Sequence, residues 1–381
     1  MKALQKKKKS SFSEKVRKKT EGIKNLLYRI TLVTNLVFVA ALLFSYISVY
    51  INPSAIAFPA LFGLAYPYLL LINIIFIVFW VSLLKKEALI SAAAILIGIG
   101  FIHNFIRLSN HGEEVKNDIK LISYNLRLFN YFEGNSARHS DKKILQMLKS
   151  ENPGIICLQE YYIPEDRSTS EEIIKSALGG TWHSHTKLIR NKNKRSYGII
   201  TLSRYPVINR GEIIHPNSSS LTIFTDIVAG KDTIRVYNNH LQSFRLRRLD
   251  SSLIGDISAE QKGKLKDIGY FYKRLTNGFK SRSVQTARLK KSVSSSPFPV
   301  IVAGDFNDTP ISYTYRKIHH GLNDAFVKAG YGAGFTYRGK YPPNRIDYVF
   351  YDDHLECTDF DIVKVKYSDH YPVVAYFRKS R

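Results

Sequence analysis

The chain has 381 residues, room for one large domain and something more. Its formal net charge is +25, from 56 Lys and Arg against 31 Asp and Glu, a balance that suits anionic partners. The two cysteines, Cys157 and Cys357, belong to no CxxC pair. That excludes a zinc or dithiol motif and leaves two buried thiols as the expectation.

Residues 1–106 hold 13 Lys/Arg against 3 Asp/Glu, and the remainder holds 43 against 28. Residues 1–30 are polar and basic, with Lys6 to Lys9 consecutive, and are expected to form a solvated cytoplasmic tail beside anionic headgroups. Three uncharged runs follow, Thr31–Ile51, Ala55–Leu84 and Ala88–Ile106. Each is long enough for a membrane helix of about 20 residues. The expectation is therefore a membrane region over 31–108 with three transmembrane helices at about 31–51, 58–84 and 88–106. A cleaved signal peptide fits poorly, because the basic region is too long and the apolar runs are three. Lys85 and Lys86 share the charge sign of the tail. The positive-inside rule then puts the N-terminus in the cytoplasm and residues after Ile106 outside, in the periplasm of a cell with an inner membrane. An even number of spans would reverse that side.

From Asp118 the pattern changes to short strands and amphipathic helices. Strands are expected at Ile119–Tyr124, Ile155–Leu158, Trp182–Leu188, Tyr197–Leu202, Leu221–Val228, Thr233–Tyr237, Val300–Ala303, Phe335–Arg338, Arg345–Phe350, Phe360–Val365 and Val373–Phe377. Helices are expected at Asp141–Ser150, Glu171–Leu178, Arg282–Val293 and Ser312–Ile318. Phe244–Lys280 reads as a basic insertion between core strands. Many short strands with a few helices indicate a mixed α/β or α+β domain over 117–381.

Polar residues recur at the strand ends: Asn125, Glu160, His240, Asp305, Asn307, Asp347, Asp369 and His370. A carboxylate buried without a partner is costly. If these strands end on one edge, the acids can hold Mg²⁺, or Mn²⁺ in its place, through oxygen ligands. The histidines can move protons or stabilise an anion. With no activated Ser or Cys in view, the set suits metal-assisted attack of water on phosphorus.

Six segments occur in order: SYNLR (Ser123–Arg127), LQE (Leu158–Glu160), NNHLQS (Asn238–Ser243), GDFND (Gly304–Asp308), RIDYVF (Arg345–Phe350) and SDHYPV (Ser368–Val373). Together, over about Lys120–Phe377, they resemble the endonuclease/exonuclease/phosphatase superfamily, which includes deoxyribonucleases, abasic-site endonucleases, neutral sphingomyelinases and inositol-polyphosphate 5-phosphatases. The resemblance implies a four-layer αββα sandwich with the site at one edge of two packed sheets. It implies metal ligation by Glu160, with Asn125 beside it and Asp369 on the same side. It implies that His370 contacts the scissile phosphate and that Asp347 holds its tautomer. Asp305 would orient or deprotonate the water, and Asn307 would donate to phosphate oxygens. His240 and Asn238 match the NxH form of the motif and would serve the phosphate side. That form departs from the abasic-site enzymes and fits the deoxyribonuclease-like and sphingomyelinase-like branches.

Other residues read more plainly. His183 and His185 are expected to be structural, and His319 and His320 to cap a helix or face solvent. Tyr197 is left without a role. The loop Arg190–Arg195 can grip a polyanion, with Arg195 as a substrate-binding residue. The expected activity is a membrane-anchored Mg²⁺-dependent nuclease acting on DNA or RNA. The alternatives are a phosphodiesterase or phosphatase on a phospholipid or inositol phosphate headgroup, and a non-catalytic membrane scaffold.

Overall fold

The computed structural model describes residues 2–108, 118–131, 140–164, 168–190, 196–216, 218–244, 268–339 and 343–380. They form two compact units, Met1–Ile47 with Ala65–Ile99, and Ser48–Leu64 with Gly100–Arg381.

The first unit is built from α1 (Lys2–Ser48), α2 (Ala60–Ser82) and α3 (Ala88–Ile97). The basic segment expected as a tail is the start of α1. Two helical stretches, Arg17–Ser48 and Ala60–Ser82, are long and apolar enough to cross a membrane. The third expected span is not among them. α3 has ten residues and stops at Gly98, before the short α4 (Ile99–Ile102). A Cβ at Gly98 would lie 2.0 Å from the Tyr46 ring, so the close approach of Tyr46 requires glycine there, at the point where the helix breaks. Polar side chains tie the three helices. Asn35 Nδ2 donates to Ser91 Oγ (2.7 Å), Ser91 Oγ donates to Asn73 Oδ1 (2.9 Å), and Trp80 Nε1 donates to Asn35 Oδ1 (2.9 Å).

The second unit carries a small pair, β1 (Ile106–Arg107) with β11 (Gly332–Ala333), and two six-stranded mixed sheets. One sheet runs β13 (Leu355–Ile362), β14 (Val373–Lys379), β2 (Ile119–Asn125), β3 (Ile155–Ile163), β5 (Ser196–Ser203), β4 (His183–Arg190). The other runs β10 (Asn323–Asp324), β12 (Asp347–Tyr351), β9 (Val300–Asp305), β8 (Asp232–His240), β7 (Leu221–Ala229), β6 (Val207–Glu212). The central pairs β2–β3 and β8–β9 are parallel, and the other pairs are antiparallel.

Strand alternation explains why the central strands read as continuous apolar runs. Leu121, Ile155, Ile301 and Ala303 point into a core shared by both sheets. Their neighbours Ile122 and Ile156 face α5 (Ser140–Glu151) and α6 (Glu171–Leu178). Val300 and Val302 face α7 (Ile268–Ser294) and α8 (Tyr313–His319). Each fully buried aliphatic side chain contributes about 1.5–3 kcal/mol. The layers are helix, sheet, sheet, helix, as expected.

Three local expectations change. The insertion expected over 244–280 shrinks, because residues 268–280 extend α7; residues 245–267 lie outside the described residues. Phe335–Arg338 makes only isolated bridges at Tyr337, to Asn344 and His370. The edge strand β6 has no counterpart among the expected strands. Cys157 and Cys357 are free and buried, as expected.

Candidate active site

Register brings one half of the site together. His240 pairs with Asp305 across the parallel β8–β9 pair, and Asp347 pairs with Asp305 across β9–β12. These residues stand in one row at the sheet edge. The other half comes from the facing sheet. Asn125 ends β2, and Asp369 and His370 lie in the loop that leads through Tyr371 and Pro372 into β14. Glu160 sits in a bulge of β3, where the pairing with β5 shifts between Leu158 and Tyr161. Its φ of +48° is left-handed, a strained backbone for a residue with a side chain. The bulge turns the carboxylate toward the strand ends.

The two halves meet through short contacts. Asn125 Nδ2 donates to Asp305 Oδ2 (2.9 Å) and to Glu160 Oε1 (3.4 Å). Asp305 also accepts from the Asn307 backbone N–H (2.8 Å) and Asn307 Nδ2 (3.2 Å). His240 Nε2 lies 3.6 Å from Glu160 Oε1 and 3.9 Å from Asp305 Oδ2. His370 Nδ1 lies 2.9 Å from Asp347 Oδ2, and its Nε2 lies 3.8 Å from Asp305 Oδ2. A carboxylate only accepts, so His370 Nδ1 carries the proton and Nε2 faces the cleft. Asp305, Asp347 and His370 are almost fully buried, whereas the Glu160 and His240 side chains are 26% and 19% exposed. The floor is thus buried and the rim is open.

Charge pairing sets the protonation pattern. Burial alone would push the His370 imidazole down, but Asp347 and then Asp305 reverse this and hold it at about 10. Burial pushes Asp305 up to about 6, with His370 opposing the shift and Asp347 adding to it. Asp369 is buried at the side, with Arg127 Nε 3.8 Å from its Oδ1.

The donor set fits a hard divalent cation. Four carboxylates, those of Glu160, Asp305, Asp347 and Asp369, converge on two histidines and Arg127. Oxygen donors of this kind are those such a cation takes. Among the described residues, Asp305, Asp347 and His370 also form a group whose ligand atoms lie within 4.8 Å of one another. His370 Nδ1 is engaged by its 2.9 Å hydrogen bond to Asp347, which leaves Nε2 as the nitrogen that group could offer.

Not every expected residue reaches the cleft. Asn238 is fully buried between the sheets. Its Oδ1 accepts from Gln159 Nε2 (2.8 Å), and its Nδ2 donates to Ile200 O (3.0 Å). It ties the sheets beneath His240 and does not line the site. Arg195 lies outside the described residues. His185 bonds Thr225 Oγ1 (3.0 Å) on the neighbouring sheet, a structural place, and His319 and His320 are exposed at the end of α8. Three supporting residues went unremarked in the sequence. Ser368 Oγ donates to Asn125 O (2.8 Å), Thr336 Oγ1 accepts from Asp347 N (3.1 Å), and the Tyr337 ring stands edge-on to His370 at 5.3 Å. Ser368 lies inside the SDH segment and could have been picked out there. Thr336 and Tyr337 carry no such signal.

Fold and site together define a hydrolase of phosphoester bonds. The chain belongs to the Endonuclease/Exonuclease/phosphatase family, whose pattern matches residues 122–370. Residues 28–105 match a domain of unknown function, DUF8431. No curated protein sequence matches the chain. Among solved structures it is similar to the human Nocturnin catalytic domain with bound sulfate, at 17% identity and a TM-score of 0.51, covering 70% of this chain and 97% of that one. It is also similar to D. rerio TDP2 humanised by 14 mutations, at 14% identity and a TM-score of 0.50, covering 69% of this chain and 100% of that one. At these identities the likeness is one of fold.

Proposed function

We propose that the chain is a divalent-metal-dependent phosphodiesterase, a nuclease anchored in a membrane by its apolar N-terminal helices. The observation that carries the chemistry is the buried His370–Asp347 pair set against Asp305, with Asn125 and Glu160 closing the site from the facing sheet. Glu160, Asn125 and Asp369 would hold Mg²⁺ or Mn²⁺. Such a cation, when bound, supplies charge stabilisation to the phosphate oxygens. The charged His370 presents an Nε2–H to a phosphate oxygen, fixed in direction by Asp347. Asp305, with its carboxylate raised toward neutrality, receives or orients the proton of the attacking water. His240 flanks that carboxylate and would face the phosphate, while Asn307, whose Nδ2 donates to Asp305 Oδ2 and Leu241 O, would hold the carboxylate in place.

Substrate choice rests on charge. Residues 107–381 keep an excess of Lys and Arg, which supports a polyanion such as DNA or RNA. The apolar helices support a second reading, hydrolysis of a phospholipid or inositol phosphate headgroup near the bilayer. The lysine-rich stretch Lys6–Lys9 supports a cytoplasmic N-terminus. The segment Ser48–Leu64, which joins α1 to the first turn of α2, belongs to the same unit as the proposed catalytic residues, with Ser54 Oγ 2.6 Å from Ser283 Oγ and Tyr50 under the Arg316 guanidinium. This supports a catalytic domain on the extracytoplasmic face.

The test is hydrolysis by the full-length protein in detergent, with Mg²⁺ or with EDTA. Plasmid and single-stranded DNA, RNA, sphingomyelin and an inositol phosphate are compared side by side. EDTA-sensitive cleavage of nucleic acid is expected. Inert nucleic acid with cleavage of a headgroup would replace the first reading by the second.

A further inference from the structure

The loop that follows His240 at the end of β8 and the loop that carries Asn307 are gripped by one face of α7. Gln285 Oε1 accepts the backbone N–H of Gln242 (3.0 Å), and Arg282 Nη1 donates to the carbonyl of the same residue (2.7 Å). Both faces of the Gln242 backbone are therefore held by side chains one helical turn apart. Arg282 Nε reaches the other loop and donates to Asp308 Oδ2 (3.0 Å). Arg282 is completely buried, and its guanidinium lies over the Phe244 ring at 4.3 Å. Gln285 Nε2 continues to Ser218 Oγ and Ser220 Oγ, each at 3.1 Å.

From this grip the path to the reacting groups is short. Gln242 is two residues after His240, and Asp308 follows Asn307 directly. The loops are also bonded to each other. Leu241 N donates to Asp305 O (2.9 Å), and Asn307 Nδ2 donates to Leu241 O (3.0 Å). A buried charge is costly unless paired and hydrogen-bonded. A guanidinium placed here, where an apolar residue would serve packing, marks a demand for fixed direction. The planar fork supplies it, with two donors at set angles.

We propose that Arg282 and Gln285 are positioning residues that set the reach of His240 and Asn307. They act on the phosphate-side half of the site, on the second sheet. The cation-side residues Asn125, Glu160 and Asp369 stand on the other sheet and do not touch the clamp. This rests on the hydrolase reading above for its catalytic readout, but the clamp itself can be read without activity.

The experiment uses full-length protein in detergent and the variants Q285A, R282Q and R282K. Three quantities are measured: kcat and KM on bis(4-nitrophenyl) phosphate, Mn²⁺ affinity by electron paramagnetic resonance, and amide exchange by mass spectrometry. A displacement near 1 Å at a reacting group costs about a hundredfold. Q285A and R282Q should therefore lower kcat by about ten- to a hundredfold, with Mn²⁺ affinity held. Amides in the peptide spanning residues 241–244 should exchange faster, and those in 155–163 should not. R282K keeps a cation near Asp308 and should recover part of the loss. The proposal is overturned if folded Q285A keeps the wild-type kcat, or if kcat and Mn²⁺ affinity fall together. If the wild type cleaves no phosphoester, the functional reading fails separately. Exchange at 241–244 then decides the clamp, and unchanged exchange in Q285A rejects it.

Discussion

Asp324→Asn should be among the most destabilising single substitutions in the catalytic domain. Arg345 Nη2 donates to both Asp324 oxygens, and both side chains are essentially without solvent contact. Arg345 Nη1 donates to Asn104 O (2.8 Å), and the guanidinium lies 4.5 Å from the Phe326 ring centre and 4.7 Å from that of Tyr348. Asp324 also accepts Tyr315 Oη (2.8 Å) and caps α9 (Ala325–Ala329) through the Phe326 N–H (3.0 Å). The carboxamide keeps the shape but loses the charge and one acceptor, which leaves a guanidinium buried against an N–H donor. Breaking such a pair costs about 3–5 kcal/mol. For a domain of this size that is a fall in Tm on the order of 10 °C. The assay is thermal labelling of full-length protein in detergent with a thiol-reactive fluorophore. Cys157 and Cys357 are the only cysteines, and both lie in the core between the sheets, so labelling reports loss of that core. Arg345→Met added to Asp324→Asn should restore part of the Tm by removing the stranded charge. A Tm within about 2 °C of wild type for Asp324→Asn would refute the reasoning.

Four further outcomes are expected. Glu160→Ala should abolish EDTA-sensitive hydrolysis, and full turnover at saturating Mg²⁺ would remove Glu160 as the ligand. His370→Ala and Asp347→Asn should each lower kcat by about 10²-fold or more, which an unchanged rate on the responsive substrate would contradict. His215 is buried, and burial followed by Arg288 pushes its imidazole down to about 4. The unfolded chain takes up that proton first, so the stability this neutral histidine contributes falls from about pH 6.5 to about pH 4, by about 3 kcal/mol in total; urea titrations of His215→Asn should show a shallower decline, and an identical slope would rule His215 out. A reporter fused after Arg381 should respond from the extracytoplasmic side; a cytoplasmic signal would mean an even number of crossings and would put the enzyme beside the genome.

The strand ends were legible because an apolar β-branched run that stops at Asn, Asp or His has few other meanings. Asp305, Asp347 and His370 were found that way, and register explains why they meet. The start of α7 was not legible. Its buried face runs Leu275, Phe279, Arg282, Thr286, Leu289, Val293, and two polar members interrupt the stripe on which periodicity depends. Gly269 and Gly278 lower helix propensity further, yet a Cβ at Gly278 would sit 2.7 Å from Phe244. The edge strand β6 was missed because Ile208, Asn209 and Arg210 are all exposed, which erases alternation. Asn238 was misplaced for a different reason. Asn238 and His240, two apart on β8, point to the same face, but Asn238 lies one pleat deeper, where the facing sheet covers it, and only the strand's last residue reaches the open end.

The seam between the sheets has a consequence for how this chain could change. Asn125 Nδ2 and Asp305 Oδ2 touch across it at 2.9 Å, while Cys157, Ala303 and Ala375 sit in the core below, each with no exposed surface. On the proposed function, these small side chains would act as a gauge block for the distance between the two halves of the site. A methyl group added at Ala303 or Ala375 would wedge the sheets apart and detune a site that it never touches. Drift in an apolar core, ordinarily silent in chemistry, would here be heard in the rate.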